Sequence, residues 1–206
     1  SACGGSSGFP PVITGVKVQS IQYGQTATIY LGGNDLRTSL LVESEGACLN
    51  PSFGAASSTS MLVLNCTVSK SGNFVLTIKS AEGQVLNSTS ISVPKPQVML
   101  ITSLGSVTLE LEPELAPISV NNFLAYVGKS YYSNTLFHRV IPGFVVQGGG
   151  YATGMVKKAG QTAPIELESN KGLSNARGTL AMARTNAFNS ATSEFFVNLV
   201  DSFPMN

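Results

Sequence analysis

Between Pro11 and Val93, short runs rich in apolar and β-branched residues recur between turn signals: "TATIYL", "SLLVES", "MLVLNCTV", "NFVLTIKS" and "VLNSTSISV". Runs of this length and composition predict strands, and several in succession predict a small β-sandwich over residues 11–94. At "VPKPQ", Val93 to Gln97, both prolines lack a donor N–H and interrupt any strand, so the boundary to a second domain, residues 97–206, is placed there. Beyond it the pattern changes. In "VMLITSLGSVTLELEP", Val107, Leu109 and Leu111 alternate with Thr108, Glu110 and Glu112, which predicts a hairpin turning at Leu104 and Gly105. In "APISVNNFLAYVGKS", Val120, Phe123, Leu124 and Val127 form one helical stripe, with Pro117 near its start and Gly128 just past its end. Hairpin, then helix, then further short strands suits a β-barrel with one end capped by a helix.

Composition narrows the function classes. Only 11% of the 206 residues are charged and the net charge is +1, with no basic run, so the electrostatic footprint of a nucleic-acid binder is absent. No apolar run approaches the ~18 residues of a membrane span. Low charge with abundant Ser, Thr, Gly and Val predicts a β-rich protein of an exported compartment. The three cysteines divide into Cys3 alone and the pair Cys48 and Cys66. In an oxidising compartment that pair would form a disulfide worth ~3 kcal/mol, and in a reducing one it would be two buried thiols. "SACGGSSG" resembles the remnant of a bacterial lipoprotein signal, with a lipid predicted on Cys3 and residues 1–10 as signal remnant and tether. A bacterial envelope location on the periplasmic side follows as an expectation. The sandwich resembles an immunoglobulin-like module at the level of pattern, with no motif to name a subfamily.

One stretch carries candidate chemistry: "FHRVIPGFVVQGGG", Phe137 to Gly150. Pro142-Gly143 is a turn signal between two β-type arms. Antiparallel pairing about Gly143 makes paired residue numbers sum to 286, which sets Arg139 opposite Gln147 on one face. Phe144, at the turn, predicts an apolar floor beside them. Gly148 to Gly150, lacking Cβ atoms, predict a place where another backbone comes close. His138 is the only histidine in the chain and has no ligand-spaced partner, which predicts a hydrogen-bonded structural role rather than a base or a metal ligand.

"FHRVIPGFVVQGGG", followed by "RGTLAMAR" and "SATSEFFVN", resembles the cyclophilin family of peptidyl-prolyl cis-trans isomerases, especially its bacterial members, over about Gln97 to Asn206. The resemblance implies a mainly β fold: a cyclophilin-like barrel with a capping helix, following the Ig-like sandwich. It implies that Arg139 is the catalytic residue, that Phe144, Val145 and Phe196 line the proline pocket, and that Gln147 positions the substrate. Ala183 and Arg184 match the strand that holds the substrate backbone, where many relatives have Asn in place of Arg184. Glu194 stands where Gln is common, which adds a charge near the pocket. Alternation along a strand sends Phe195 and Phe196 to opposite sides, and the motif selects Phe196 for the pocket. The resemblance also implies that the closing strands and second helix follow Asn206, so the barrel in this chain is incomplete.

These residue types suit the reaction. An X-Pro bond isomerises unaided in tens to hundreds of seconds, so turnover in milliseconds to a tenth of a second needs ~4 to 7 kcal/mol. The implied activity is isomerisation of X-Pro bonds in exported clients, with no cofactor and no metal. The expected partners are proline-containing unfolded or extended polypeptides, with no nucleic acid, a monomeric chain, and membrane contact only through the lipid at Cys3. An alternative is a non-catalytic proline-peptide-binding chaperone or an envelope interaction module.

Overall fold

The computed structural model describes residues 9–169 and 171–202; the predicted lipidation site Cys3 lies outside them. The chain divides into two compact units, Ser1–Pro96 and Gln97–Asn206.

The described residues of the first unit hold seven strands: β1 (Val12–Ser20), β2 (Thr26–Asn34), β3 (Leu41–Glu43), β4 (Cys48–Phe53), β5 (Met61–Val68), β6 (Gly72–Lys79) and β7 (Val85–Val93). They form two antiparallel sheets, ordered β1-β2-β5-β4 and β3-β6-β7. Alternation decides which side chains go inward: Ala27, Ile29 and Leu31 on β2, Leu62 and Leu64 on β5, Phe74, Leu76 and Ile78 on β6, and Ile91 and Val93 on β7 are all buried. Burying each large aliphatic side chain contributes ~2 kcal/mol, so these two sheets supply the unit with its own core.

Five of the seven strands coincide with the predicted runs. The other two, β1 and β4, are outermost in their sheet, and each carries a register shift. Cys48 and Cys66 form a disulfide with Cα atoms 5.3 Å apart. Cys48, which lies in none of the predicted runs, opens β4. Cys48 pairs with Val68 while Cys66 lies two residues back on β5, so the bridge joins diagonal neighbours in one sheet.

The second unit begins with the hairpin β8 (Gln97–Thr102) and β9 (Gly105–Glu110), in full register from Gln97–Glu110 to Thr102–Gly105. The loop is therefore Ser103-Leu104, one residue earlier than predicted, with Thr102 Oγ1 donating to Gly105 O and accepting from Leu104 N. The predicted apolar face grades from exposed at Val107 through half-buried Leu109 to buried Leu111.

Helix α1 (Pro117–Gly128) has Pro117 in its first turn and no side-chain cap at Ala116. Its free N–H groups are accepted from a distance by Glu168: Ile118 N donates to Oε1 at 3.1 Å and Ser119 N to Oε2 at 2.7 Å. A carboxylate there also opposes the positive end of the helix dipole. Val120, Phe123 and Tyr126 are buried, so Tyr126 belongs to the inward stripe while the predicted Leu124 and Val127 are only half-buried.

The remaining strands are short: β10 (Arg139–Ile141), β11 (Val145–Gly148), β12 (Tyr151–Ala152), β13 (Val156–Lys157), β14 (Leu180–Met182) and β15 (Phe195–Asn198). Among the described residues they form a sheet ordered β10-β11-β15-β14 and a β12-β13 pair, and with β8-β9 they do not close into a barrel. Among the described residues the fold is thus mainly β with one α-helix and an incomplete barrel.

An aromatic cluster joins α1 to the four-stranded sheet. Phe195 meets Phe123 edge-on at 5.7 Å and Tyr132 at 5.4 Å between ring centroids, and Phe123 lies 5.1 Å from Tyr132. Edge-to-face geometry aims a positive ring edge at a negative ring face. Two polar bonds fix the approach to β15: Tyr132 Oη donates to Ser193 O at 2.9 Å, and Asn122 Nδ2 donates to Thr192 O at 2.7 Å. Burial, reinforced by the neighbouring Tyr126 and Tyr131, pushes the Tyr132 hydroxyl well above the usual phenol range, which keeps it a donor.

Candidate active site

The β10–β11 hairpin turns through Pro142 and Gly143, with Gly143 at φ 70° and Phe144 N donating to Ile141 O at 3.0 Å. Proline presets its own φ and glycine accepts the left-handed one, so these two residues fix where the arms pair. Arg139 stands opposite Gln147, Val140 opposite Val146, and Ile141 opposite Val145, the register summing to 286.

Pairing continues across the sheet: Gln147 opposes Phe196, and Phe196 opposes Ala181. Residues directly opposite in a sheet share a face. One row across four strands therefore presents Arg139, Gln147, Phe196 and Ala181 on the same side. Two residues away along the strands, Val145 and Glu194 share that side, while Phe195 faces the aromatic cluster at 3% exposure. The alternation predicted for Phe195 and Phe196 is observed. Val145 is buried at 2% exposure, forming a floor rather than an open lip. Phe144 is half-buried at the turn, and its carbonyl accepts from Leu199 N at 2.8 Å.

A chain of hydrogen bonds runs along the row. Arg139 Nη1 donates to Gln147 Oε1 at 3.1 Å, and Gln147 Nε2 donates to Glu194 Oε2 at 2.9 Å. A guanidinium only donates and a carboxylate only accepts, so the amide of Gln147 has one satisfiable orientation. His138 Nε2 lies 3.3 Å from the same Glu194 Oε2, and the imidazole packs against Tyr151 at 4.6 Å. Sequence reasoning gave His138 a structural role but did not connect it to Glu194, because residues 56 apart in the chain leave no spacing signal.

Ala183 and Arg184 follow β14 directly. Ala183 N donates to Glu194 O at 2.8 Å, extending the β14–β15 pairing by one bond. Arg184 is exposed, its guanidinium 5.3 Å from the Phe188 ring centroid and its Nη1 donating to Thr185 O. Such a cation over an aromatic face is worth ~0.5–1 kcal/mol at an exposed site.

At the three glycines the close backbone approach expected from the sequence is made by this chain itself, through Leu136 O at Gly148 and Ser193 O at Gly149. All three are buried, and the groups that approach them belong to this chain. A Cβ at Gly148 would come 2.9 Å from the Phe137 ring, one at Gly149 would come 2.8 Å from Ser193 O, and one at Gly150 would come 2.6 Å from Glu194 Cγ. The triplet is where the start of β15 and the Phe137 ring pack against β11, and no surface is left there for a ligand backbone.

Residues 97–206 match the family described as "Cyclophilin type peptidyl-prolyl cis-trans isomerase/CLD". Peptidyl-prolyl cis-trans isomerase A of Dickeya dadantii is 50% identical over 105 residues, which cover 51% of this chain and 55% of that protein. Peptidyl-prolyl cis-trans isomerase B of Escherichia coli is 52% identical over 101 residues, 49% of this chain and 61% of that protein. The chain thus spans between half and two thirds of the length of these curated relatives. A solved cyclophilin-type isomerase of Cryptosporidium parvum, studied in the presence of the dipeptide Ala-Pro, has a TM-score of 0.46 and 30% identity over 54% of this chain and 72% of its own. With the family pattern matched over more than half of its length, this chain belongs to the cyclophilin-type peptidyl-prolyl cis-trans isomerase family.

Proposed function

We propose that the second unit is a prolyl isomerase site in which Arg139 is the catalytic donor. The observation that carries this reading is the row of Arg139, Gln147 and Phe196 on one face of the sheet, with Arg139 exposed and tethered through its Nη1 bond to Gln147. The half-buried Phe144 and Phe196, with Val145 beneath them, grip the proline ring. Ala183 and Arg184 lie where the peptide backbone runs past.

The planar amide of an X-Pro bond is held by resonance, and rotation passes through a twisted state whose prolyl nitrogen carries a free lone pair. An N–H of Arg139 aimed at that nitrogen bonds the twisted state better than the planar one, and this difference is the catalytic term. One preorganised donor is worth ~3 kcal/mol in comparable sites. The tether to Gln147 supplies the preorganisation, because it removes rotamer freedom that Arg139 would otherwise lose on meeting substrate. No covalent intermediate is needed.

The partners of this reading are proline-containing extended polypeptides. The disulfide between Cys48 and Cys66 supports an exported setting, since such bonds persist in oxidising compartments. A lipid at Cys3 and a periplasmic-side envelope location extend that reading. For the first unit, the two-sheet order β1-β2-β5-β4 and β3-β6-β7 supports an immunoglobulin-like sandwich of seven strands. Its bridge lies within one sheet, unlike the inter-sheet bridge of antibody domains.

The test is prolyl cis/trans exchange measured by NMR on a short Ala-Pro peptide. Arg139→Ala is expected to lower exchange at least tenfold while amide spectra of the two units stay native. Unchanged exchange in that variant overturns the role of Arg139.

A further inference from the structure

The isomerase reading uses Glu194 to orient Gln147 but gives its charge no part in choosing substrates. Its side chain lies in the space a Cβ at Gly150 would fill, 2.6 Å from Glu194 Cγ and 2.7 Å from Oε1. Its Oε2 faces both Gln147 Nε2 and His138 Nε2, at 2.9 and 3.3 Å. Among the described residues Oε1 has no hydrogen-bond partner, and the side chain keeps 22% exposure. The carboxylate is therefore seated from three sides and still reachable. A surface glutamate swings freely and has its charge averaged into water, whereas this one is held in place.

Its position relative to substrate follows from the strand. Glu194 lies two residues before Phe196 on the same face of the β15 segment, ~6.6 Å along the chain. An extended peptide advances by a similar amount in two residues, so when Phe196 grips the proline ring, a residue one or two positions away passes Glu194. The other charged or titratable groups of this face are already engaged: Arg139 with Gln147, His138 with Glu194 itself, and Arg184 with Phe188 and Thr185 O.

We propose that Glu194 is a specificity-determining residue that ranks X-Pro substrates by charge, favouring peptides with Lys or Arg within two residues of the proline and disfavouring those with Asp or Glu there. The proposal rests on the isomerase reading of the same site. A fixed negative charge at such range attracts one sign and repels the other, so the two preferences multiply. The expected ratio of catalytic efficiency between matched Lys and Glu peptides, attributable to Glu194, is about five- to tenfold at low ionic strength.

The experiment uses acetylated pentapeptides that differ only in Lys, Ala or Glu beside the proline, with kcat/KM from exchange NMR and Kd from shift titration, for the unaltered chain and Glu194→Gln. The Lys-to-Glu ratio is the quantity read, because it cancels any general loss of activity in the variant. It is expected to fall about five- to tenfold in Glu194→Gln, and to shrink in the unaltered chain as salt is raised. A ratio unmoved by the substitution, or insensitive to salt, overturns the proposal. If the Ala peptide shows no Arg139-dependent exchange, the isomerase reading fails separately, and the Kd ratio still decides the role of Glu194.

Discussion

The two units solve the problem of holding strands together differently. In the first, the strands run to eight or nine residues; β2 and β6 alternate buried apolar and outward side chains, while β5 buries the continuous run Leu62 to Leu64, so length and apolar pattern specify the core. In the second, the site strands β10, β11, β14 and β15 are three or four residues long, too short for alternation to specify them. Individual groups position them instead: an aromatic cluster behind the sheet, the Tyr132 hydroxyl, the Asn122 amide, and glycines that let β15 close on β11. Long regular strands make a scaffold tolerant of aliphatic exchange. Short strands held by named contacts aim side chains, at the cost of depending on each contact.

That contrast is most sharply tested by Phe123→Ala. Phe123 is 2% exposed and touches both Tyr132 and Phe195, so its loss is expected to cost ~3–5 kcal/mol and to disorder the four-stranded sheet. Amide spectra should show the second unit perturbed and the first unit's β2 and β5 signals retained. Joint loss of both sets would mean that the cores are not independent. Next in size is the disulfide. Reduction, or Cys48→Ser with Cys66→Ser, is expected to lower the stability of the first unit by ~3 kcal/mol in denaturant titration while peptide exchange by the second is preserved.

The smallest effect comes from a single hydroxyl. Tyr132→Phe removes the bond to Ser193 O and is expected to cost ~1 kcal/mol near neutral pH. Its pH dependence has a definite sign. Because burial raises the folded-state pKa above the unfolded value, the stability linked to this group is full below pH ~10 and is lost as pH rises beyond it. Thermal melts at rising alkaline pH should therefore fall less steeply for Tyr132→Phe. Identical slopes would show that Tyr132 does not govern the alkaline limit.

How far the sequence discloses this molecule follows the same division. The runs behind β2 and β6 are readable because buried and exposed positions alternate, and those behind β5 and β7 because they are long and rich in apolar or β-branched residues. β1 escapes because most of its residues are exposed or half-buried and Gly15 sits at a register shift, and β4 escapes because Pro51 lies within its own. Tyr126 is missed from the helix stripe because its hydroxyl reads as polar; in the fold that hydroxyl meets Thr162, whose N donates to it at 2.8 Å. The Arg139–Gln147 register is legible because Pro142 and Gly143 fix its centre locally. The link from Gln147 through Glu194 to His138 is not, since it depends on the pairing of β11 with β15, 47 residues apart.

The bridge from Cys48 to Cys66 has a mechanical side. It closes a span of 18 residues within one sheet, and a chain drawn out by its ends cannot release that span while the bond is intact. At ~3.5 Å per extended residue, the oxidised first unit would yield roughly 60 Å less length under force than the reduced one. Redox state thereby sets how far this part of the molecule stretches.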